Sequence, residues 1–297
     1  KKYTVRNFEM DGEYQGKKLP KFGLIRKSKK NKINEGLSSK EKAVVDDILG
    51  ELNDLQEIDT IVGGLIHFFQ SRGVEVSILS EYGITEVSRP IYPNRLFREK
   101  GWLQIKDELG LELLDCGASR AFAITDHQVA NIYLNDPSIE TEVRTALEKL
   151  PGVAKIYDRS TRSEIGLDHD RAGDLIAFSD EDAWFAYYFW EDDELAPEFA
   201  RCIDIHRKYG YDPTELFVNP KISFPSLIAA QKLMAKKLGF RIHMDLIPLD
   251  ADLVCGSHGV EPKSELDWPV IFGPSVRTNA TLNSTDINQI IRNFFED

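Results

Sequence analysis

The clearest pattern in the sequence is a run of apolar residues at three- and four-residue steps between residues 44 and 66. This spacing predicts an amphipathic helix that ends near Gln70 and is capped by Ser38-Ser39-Lys40-Glu41. After a Gly turn, residues 74–79 form a short apolar run that is typical of a buried strand. The succession of helix, turn and buried strand predicts one unit of a parallel sheet.

Shorter patterns extend this picture along the chain. We expect an α/β fold, with a mainly parallel central sheet flanked by helices and a small α+β insertion near residues 90–165. Residues 1–40 are rich in Lys and Arg and lack apolar periodicity, so we expect a basic, poorly structured arm before a domain at 41–297. The remaining predicted strands lie at 121–124, 132–134, 153–157 and 175–178, and the helices at 94–101, 140–150, 221–237 and 284–295.

The most aromatic stretch lies at residues 183–190. Aromatic strands of this kind are usually core, and a wall for a ring-bearing substrate is the alternative. Asp126-His127 lies between two predicted strands. Adjacent strand residues face opposite ways, so the pair is interpreted as structural hydrogen-bonding groups rather than as joint metal ligands.

Composition argues against several classes of protein. The 297 residues have a formal net charge of −12 and a pI near 5.1, so the basic footprint of a nucleic-acid-binding protein is missing. No apolar run reaches the roughly 18 residues of a membrane span. The three widely spaced cysteines argue against disulfides and a zinc ribbon and favour a reducing, cytoplasmic setting. The first residue is Lys1, which indicates a processed or partial chain and leaves export open.

Several residues are candidates for binding chemistry. Glycines flank an imidazole in Gly256-Ser257-His258-Gly259, and Glu81 follows the predicted strand at 74–79, where α/β sheets place ligand-binding groups. Asp204 and His206 are two residues apart, so both can face one cation on an extended segment. The adjacent Arg207-Lys208 pair could bind a phosphate, and a loop cluster of ion pairs is the alternative.

The order of these motifs resembles the alkaline phosphatase superfamily, in particular its type I phosphodiesterase/nucleotide pyrophosphatase branch. Ser80-Glu81-Tyr82-Gly83 is similar to the family's strand-tip Ser-Asp-His-Gly, and Gly256-Ser257-His258-Gly259 to its late Gly-x-His-Gly segment. Arg171-Ala172-Gly173-Asp174-Leu175 resembles the Arg-x-Gly-Asp-Leu turn. The resemblance covers roughly residues 40–274.

The resemblance implies a hydrolase that uses two divalent metals, usually zinc, on a small phosphoester or nucleotide-like substrate. By position, His258 and Glu81 match metal ligands, Asp204 and His206 are further candidates, and the phosphate-binding candidates are Arg207, Lys208 and Tyr82. Tyr82 stands where the family has His, and a phenol must ionise to bind zinc. The catalytic nucleophile, a Thr or Ser in the family, has no counterpart in the sequence.

Three interpretations follow. The chain is a metal-dependent phosphodiesterase or pyrophosphatase, or it is a truncated or non-catalytic member that keeps a ligand-binding surface. The third interpretation is an adaptor that works through its basic arm. We expect an incomplete sheet to expose an edge that favours association, although the pattern does not specify the oligomeric state.

Overall fold

The structure is a computed structural model. It describes the backbone of residues 2–6, 13–14, 17–18 and 39–53, and both backbone and side chains of 54–273 and 281–293. The chain divides into two compact units. The first unit holds residues 82–268, and the second holds residues 2–81 and 269–297.

Within the described residues the chain forms five α-helices and sixteen short strands. The helices are α1 (Ser39–Gln70), α2 (Pro93–Glu99), α3 (Glu140–Glu148), α4 (Pro225–Lys237) and α5 (Asp286–Asn293). The strands are β1 (Lys2–Arg6), β2 (Glu13–Tyr14), β3 (Lys17–Lys18), β4 (Ile78–Leu79), β5 (Thr85–Glu86), β6 (Arg89–Ile91), β7 (Ile105–Glu108), β8 (Leu111–Leu114), β9 (Ala121–Asp126), β10 (Val129–Leu134), β11 (Val153–Asp158), β12 (Leu175–Ser179), β13 (Ala183–Phe185), β14 (Gly256–Ser257), β15 (Val270–Phe272) and β16 (Thr281–Asn283).

The first unit is organised around a four-stranded antiparallel sheet in the order β11-β12-β10-β9. Alternate residues of β9 and β10 are buried, as expected for strands with one face against a core. Helix α3 packs on β11 and buries Val143 and Leu147. The sequence therefore predicted the positions of these strands and of this helix correctly.

The aromatic stretch at residues 183–190 is core. Its eight side chains are at most 1% exposed, and only β13 within it is a strand. Trp190 stacks on Tyr188 with ring centroids 4.5 Å apart. Fully buried aromatic side chains supply a large share of hydrophobic stabilisation. This burial supports the interpretation of the stretch as core.

The second unit holds a four-stranded sheet in the order β16-β1-β15-β4. Strand β1 runs parallel to β15 and antiparallel to β16, and β15 pairs antiparallel with β4. Ile271 of β15 is buried against Ile287 of α5. Helix α1 leaves large apolar side chains exposed among its described residues, namely Leu55, Ile58, Ile61, Leu65, Phe68 and Phe69.

The α/β class is confirmed, but the mainly parallel central sheet is wrong for the described strands. Only β1–β15 and β6–β13 pair in parallel among them, and the other pairings are antiparallel. The error has a local cause. Tight hairpins join β7 to β8 and β9 to β10, and a hairpin forces antiparallel pairing.

The predicted basic arm at 1–40 lies mostly outside the described residues, and the described pieces are the strands β1, β2 and β3. The predicted boundaries of the domain and of its insertion stay predictions. No helix among the described residues is long and apolar enough to cross a bilayer.

Candidate functional site

His258 is held by a short antiparallel ladder between β5 and β14. Ser257 pairs with Thr85, and the Thr85 hydroxyl donates a hydrogen bond to the Ser257 carbonyl at 3.3 Å. The next residue, Gly259, has φ +135, and a Cβ there would lie 3.0 Å from Gln128 Cβ. Only glycine adopts this backbone readily, so the flanking glycine is what lets His258 sit against the turn at Gln128.

A tight turn between β9 and β10 brings a second imidazole to the same place. His127 is in the left-handed region at φ 54, where His is one of the tolerated non-glycine residues. The backbone N–H of Gln128 donates to the His258 carbonyl at 3.0 Å, and Val260 N–H donates to Gln128 Oε1 at 3.2 Å. Phe185 N–H donates to the His127 carbonyl at 2.7 Å. These bonds fix the turn to both the loop after β14 and the aromatic core.

Four rings form a continuous series of contacts, which we call the ring column. Tyr82 stacks on His258 with centroids 3.6 Å apart and planes 13° apart. His258 contacts His127 at 4.0 Å, and His127 contacts Tyr211 at 4.7 Å. Stacking at these distances restrains ring orientation as well as position. Both imidazoles are therefore held in defined orientations, with Tyr82 at one end and Tyr211 at the other.

A strap at residues 208–212 holds Tyr211 in the column. The Tyr211 N–H donates to the Thr125 carbonyl at 2.9 Å, and the Thr125 N–H donates to the Tyr209 carbonyl at 3.3 Å. Gly210 has φ +128, and a Cβ there would lie 2.0 Å from the Thr125 carbonyl oxygen. The strap therefore lies directly on the backbone of β9, next to the His127 turn.

Polar groups beside the column limit what it can do. The Ser257 hydroxyl oxygen lies 3.4 Å from His127 Nδ1, and Asp126 Oδ1 lies 3.9 Å from Nε2. Ser257 is only 1% exposed, so it is not accessible as a nucleophile in this conformation. Burial, followed by the nearby Glu215 charge, raises the pKa of Tyr211. Its phenol therefore stays neutral at physiological pH.

The structure brings together two of the predicted site residues, Tyr82 and His258. Glu81 precedes Tyr82 but belongs to the second unit. Arg207 is partly exposed and donates to Glu198 Oε1 at 3.1 Å. Lys208 is fully enclosed, and its ammonium lies 2.9 Å from Asp212 and 2.7 Å from Glu215. Lys208 is thus placed to neutralise buried carboxylates rather than to contact a phosphate.

The predicted metal ligands do not form a group of three or more ligands among the described residues. Across residues 54–273 and 281–293, no group of three or more His, Cys, Asp and Glu side chains is arranged to hold a metal ion. The Asp204 carboxylate lies 4.0 Å from the Arg207 guanidinium, and His206 is exposed. Protein zinc sites use three or four such ligands. His258, Glu81, Asp204 and His206 therefore do not make up such a site in the described structure.

Sequence reasoning did not place His127 and Tyr211 beside His258 and Tyr82. Treating Asp126-His127 as strand residues placed them on opposite faces, whereas the chain turns there and directs His127 into the column. The signal was present, because two alternating apolar strands separated by two residues predict a hairpin turn. Tyr211 had no comparable local signal. Its position depends on contacts with β9, which is distant in sequence.

Residues 46–212 match the model of the family described as type I phosphodiesterase / nucleotide pyrophosphatase, and this is more than half of the chain. The chain belongs to this family. The resemblance inferred from the sequence motifs is therefore confirmed. The match includes Tyr82, His127 and Tyr211 and ends before the loop of His258.

No curated protein matches the chain. Among solved structures, phosphonoacetate hydrolase from Sinorhizobium meliloti 1021 with phosphonoformate is 20% identical over 47% of this chain and 33% of its own, with a TM-score of 0.32. Murine ectonucleotide pyrophosphatase / phosphodiesterase 5 is 20% identical over 46% of this chain and 33% of its own, also with a TM-score of 0.32. The chain thus spans about a third of the length of these proteins.

Proposed function

We propose that this chain is part of a hydrolase for small phosphoesters, of the phosphodiesterase or nucleotide pyrophosphatase type. The observation behind the proposal is the family match over residues 46–212. The ring column is the proposed site. Contacts with Tyr82 and His127 hold the His258 imidazole in a fixed orientation. An oriented imidazole can bind a divalent metal or exchange a proton with a phosphoester oxygen. Zinc dependence is part of the proposal only as the family's usual chemistry.

The test is hydrolysis of p-nitrophenyl thymidine monophosphate by the purified chain, with and without added zinc, together with measurement of bound metal. We expect turnover above the uncatalysed rate and a loss of about 100-fold in His258→Ala. The matched control is His169→Ala, which removes an exposed imidazole on another loop of the same unit. Equal rates for these two variants, or no turnover by the unmodified chain, would reject the hydrolase.

A second candidate is a non-catalytic family member that binds a nucleotide-like phosphoester without cleaving it. The observation that favours it is that no three His, Cys, Asp or Glu side chains among the described residues are arranged to hold a metal ion. Under this alternative, calorimetry shows adenosine monophosphate binding that His258→Ala weakens, while no hydrolysis is detected. Absence of both binding and hydrolysis excludes this candidate as well.

A further inference from the structure

A cavity of about 440 Å³ lies beside the β7–β8 hairpin in the first unit. Its described lining does not include the rings of the column. The volume lies within the range of small-molecule sites in proteins, and it exceeds that of a single amino acid. Arg207 also lines this cavity, but the ring column proposed as the phosphoester site does not.

Some of the charged groups around the cavity form ion pairs with one another, and others do not. Glu198 accepts from both terminal nitrogens of Arg207, at 3.2 and 3.1 Å, and its other oxygen lies 3.5 Å from His243 Nε2. These three residues compensate one another. Arg241 and Glu108 also line the cavity, and neither makes an ion pair with another described residue. Both side chains are exposed to solvent. The wall therefore offers one cation and one anion that a ligand can approach.

The apolar part of the wall comes from the hairpin. Leu111 and Leu113 of β8 line the cavity together with Leu109, which is 98% exposed. Leu109 and Gly110 form the two-residue turn with φ values of 58 and 81. Turns with two positive φ angles favour Asn and Gly, so a leucine there is in a strained backbone conformation. A strained, fully exposed leucine at a cavity rim is explained if it contacts a ligand.

We propose that this cavity binds a free α-amino acid with an apolar side chain. Arg241 pairs with its carboxylate and Glu108 with its ammonium group, while the side chain packs on Leu109 and Leu111. An amino acid matches the wall because it carries both charges and an apolar group in one small molecule. The charged contacts set its orientation, and removal of the apolar surface from water adds affinity.

The ligand requirement is tested by calorimetry with three probes on the full chain. Leucine carries both charges, N-acetyl-leucine lacks the cation, and leucinamide lacks the anion. We expect leucine to bind and each of the other two to bind about tenfold more weakly or worse. N-acetyl-leucine binding as tightly as leucine overturns the proposal, as does the absence of leucine binding.

The residue assignment is tested with matched variants. Arg241→Gln and Glu108→Gln should each weaken leucine binding about tenfold, whereas Arg171→Gln and Glu142→Gln, on exposed residues elsewhere in the unit, should not. Leu109→Asn separates binding from folding, because it removes the apolar contact and places a favoured residue in the turn. We expect weaker binding with an unchanged or higher melting temperature. Unchanged binding in all three cavity variants overturns the proposal.

Discussion

At the scale of single residues, the site depends on positions where the backbone has no room for a side chain. Gly259 lets the His258 loop approach Gln128, and Gly210 lets the strap lie on Thr125. Both have positive φ angles outside the helical left-handed range, which side-chain-bearing residues rarely adopt. These two glycines, rather than a ligand set, explain how histidines from distant parts of the chain meet.

Gly210→Ala should destabilise the first unit by about 2 kcal/mol or more, because the new Cβ would lie 2.0 Å from the Thr125 carbonyl oxygen. Urea denaturation measures the change in the free energy of unfolding. The control is Gly101→Ala, which also has a positive φ, +71, but has open space around it. We expect a loss of about 1 kcal/mol in that control. Equal losses in the two variants would contradict the steric argument.

At the scale of elements, a buried ion cluster anchors the strap to the turn that follows it. Lys208 contacts Asp212 and Glu215, and Asp212 also accepts from the Thr214 hydroxyl at 2.7 Å at the start of the 3-10 helix Pro213–Leu216. Asp212 is 1% exposed and Lys208 7%. Two carboxylates share one ammonium away from water, so removal of the cation should be costly.

Lys208→Met should lower the free energy of unfolding by about 3–5 kcal/mol, because two buried carboxylates lose their cation. Thermal and urea unfolding measure this loss. The control is Lys149→Met at an exposed position, where we expect little change. In the triple variant Lys208→Met, Asp212→Asn, Glu215→Gln, part of the stability should return. A mild effect of Lys208→Met would instead mean that water reaches the cluster.

A second connection between elements predicts a pH dependence. Hydrogen bonds from Ser160, followed by other local donors and Arg144 of α3, lower the pKa of Asp158 from 3.8 to about 2. The folded-state pKa is depressed, so this stabilisation is complete above about pH 4 and is lost as the pH falls through about 2. Asp158→Asn should therefore reduce stability at pH 7 and converge with the unmodified protein near pH 2.

Urea unfolding at a series of pH values checks this prediction. The exposed Asp170→Asn serves as the control. A difference between Asp158→Asn and the unmodified protein that persists undiminished at pH 2 would show that the effect does not depend on ionisation.

At the scale of the whole molecule, the hydrophobic core lies within the first unit. The main buried cluster extends from Val87 to Val254 and includes the aromatic stretch of β13 and the residues after it. The second unit has a smaller buried cluster around Ile271 and Ile287 among its described side chains. A larger buried core offsets more of the conformational entropy that a unit loses on folding. We therefore expect the first unit to be more stable on its own than the second.

Residues 82–268 expressed alone should therefore fold and unfold cooperatively. We expect a single thermal transition and tryptophan emission from an apolar environment, since Trp184 and Trp190 are fully buried. The comparison is residues 2–81 joined by a flexible linker to 269–297, for which we expect a broader transition. Non-cooperative melting of 82–268 would contradict the assignment of the core.

The sequence by itself determined the family and the positions of several local elements. Periodicity predicted the end of α1 at Gln70 and the positions of α2, α3, α4 and β9 to β12, because helices and half-buried strands repeat their apolar residues at fixed intervals. Ordered motifs around Tyr82 and His258 predicted the family that the match at 46–212 confirms.

Only the tertiary structure decided strand direction and the composition of the site. Ser257 and His127 are 130 positions apart, and their meeting depends on hydrogen bonds among the β5–β14 ladder, the β9–β10 turn and the strap. No local period records such contacts. The same lack of long-range information led sequence reasoning to place Lys208 at a phosphate, whereas the structure buries it against Asp212 and Glu215. The left-handed turn that brings the His127 ring to His258 was likewise not visible in the local pattern.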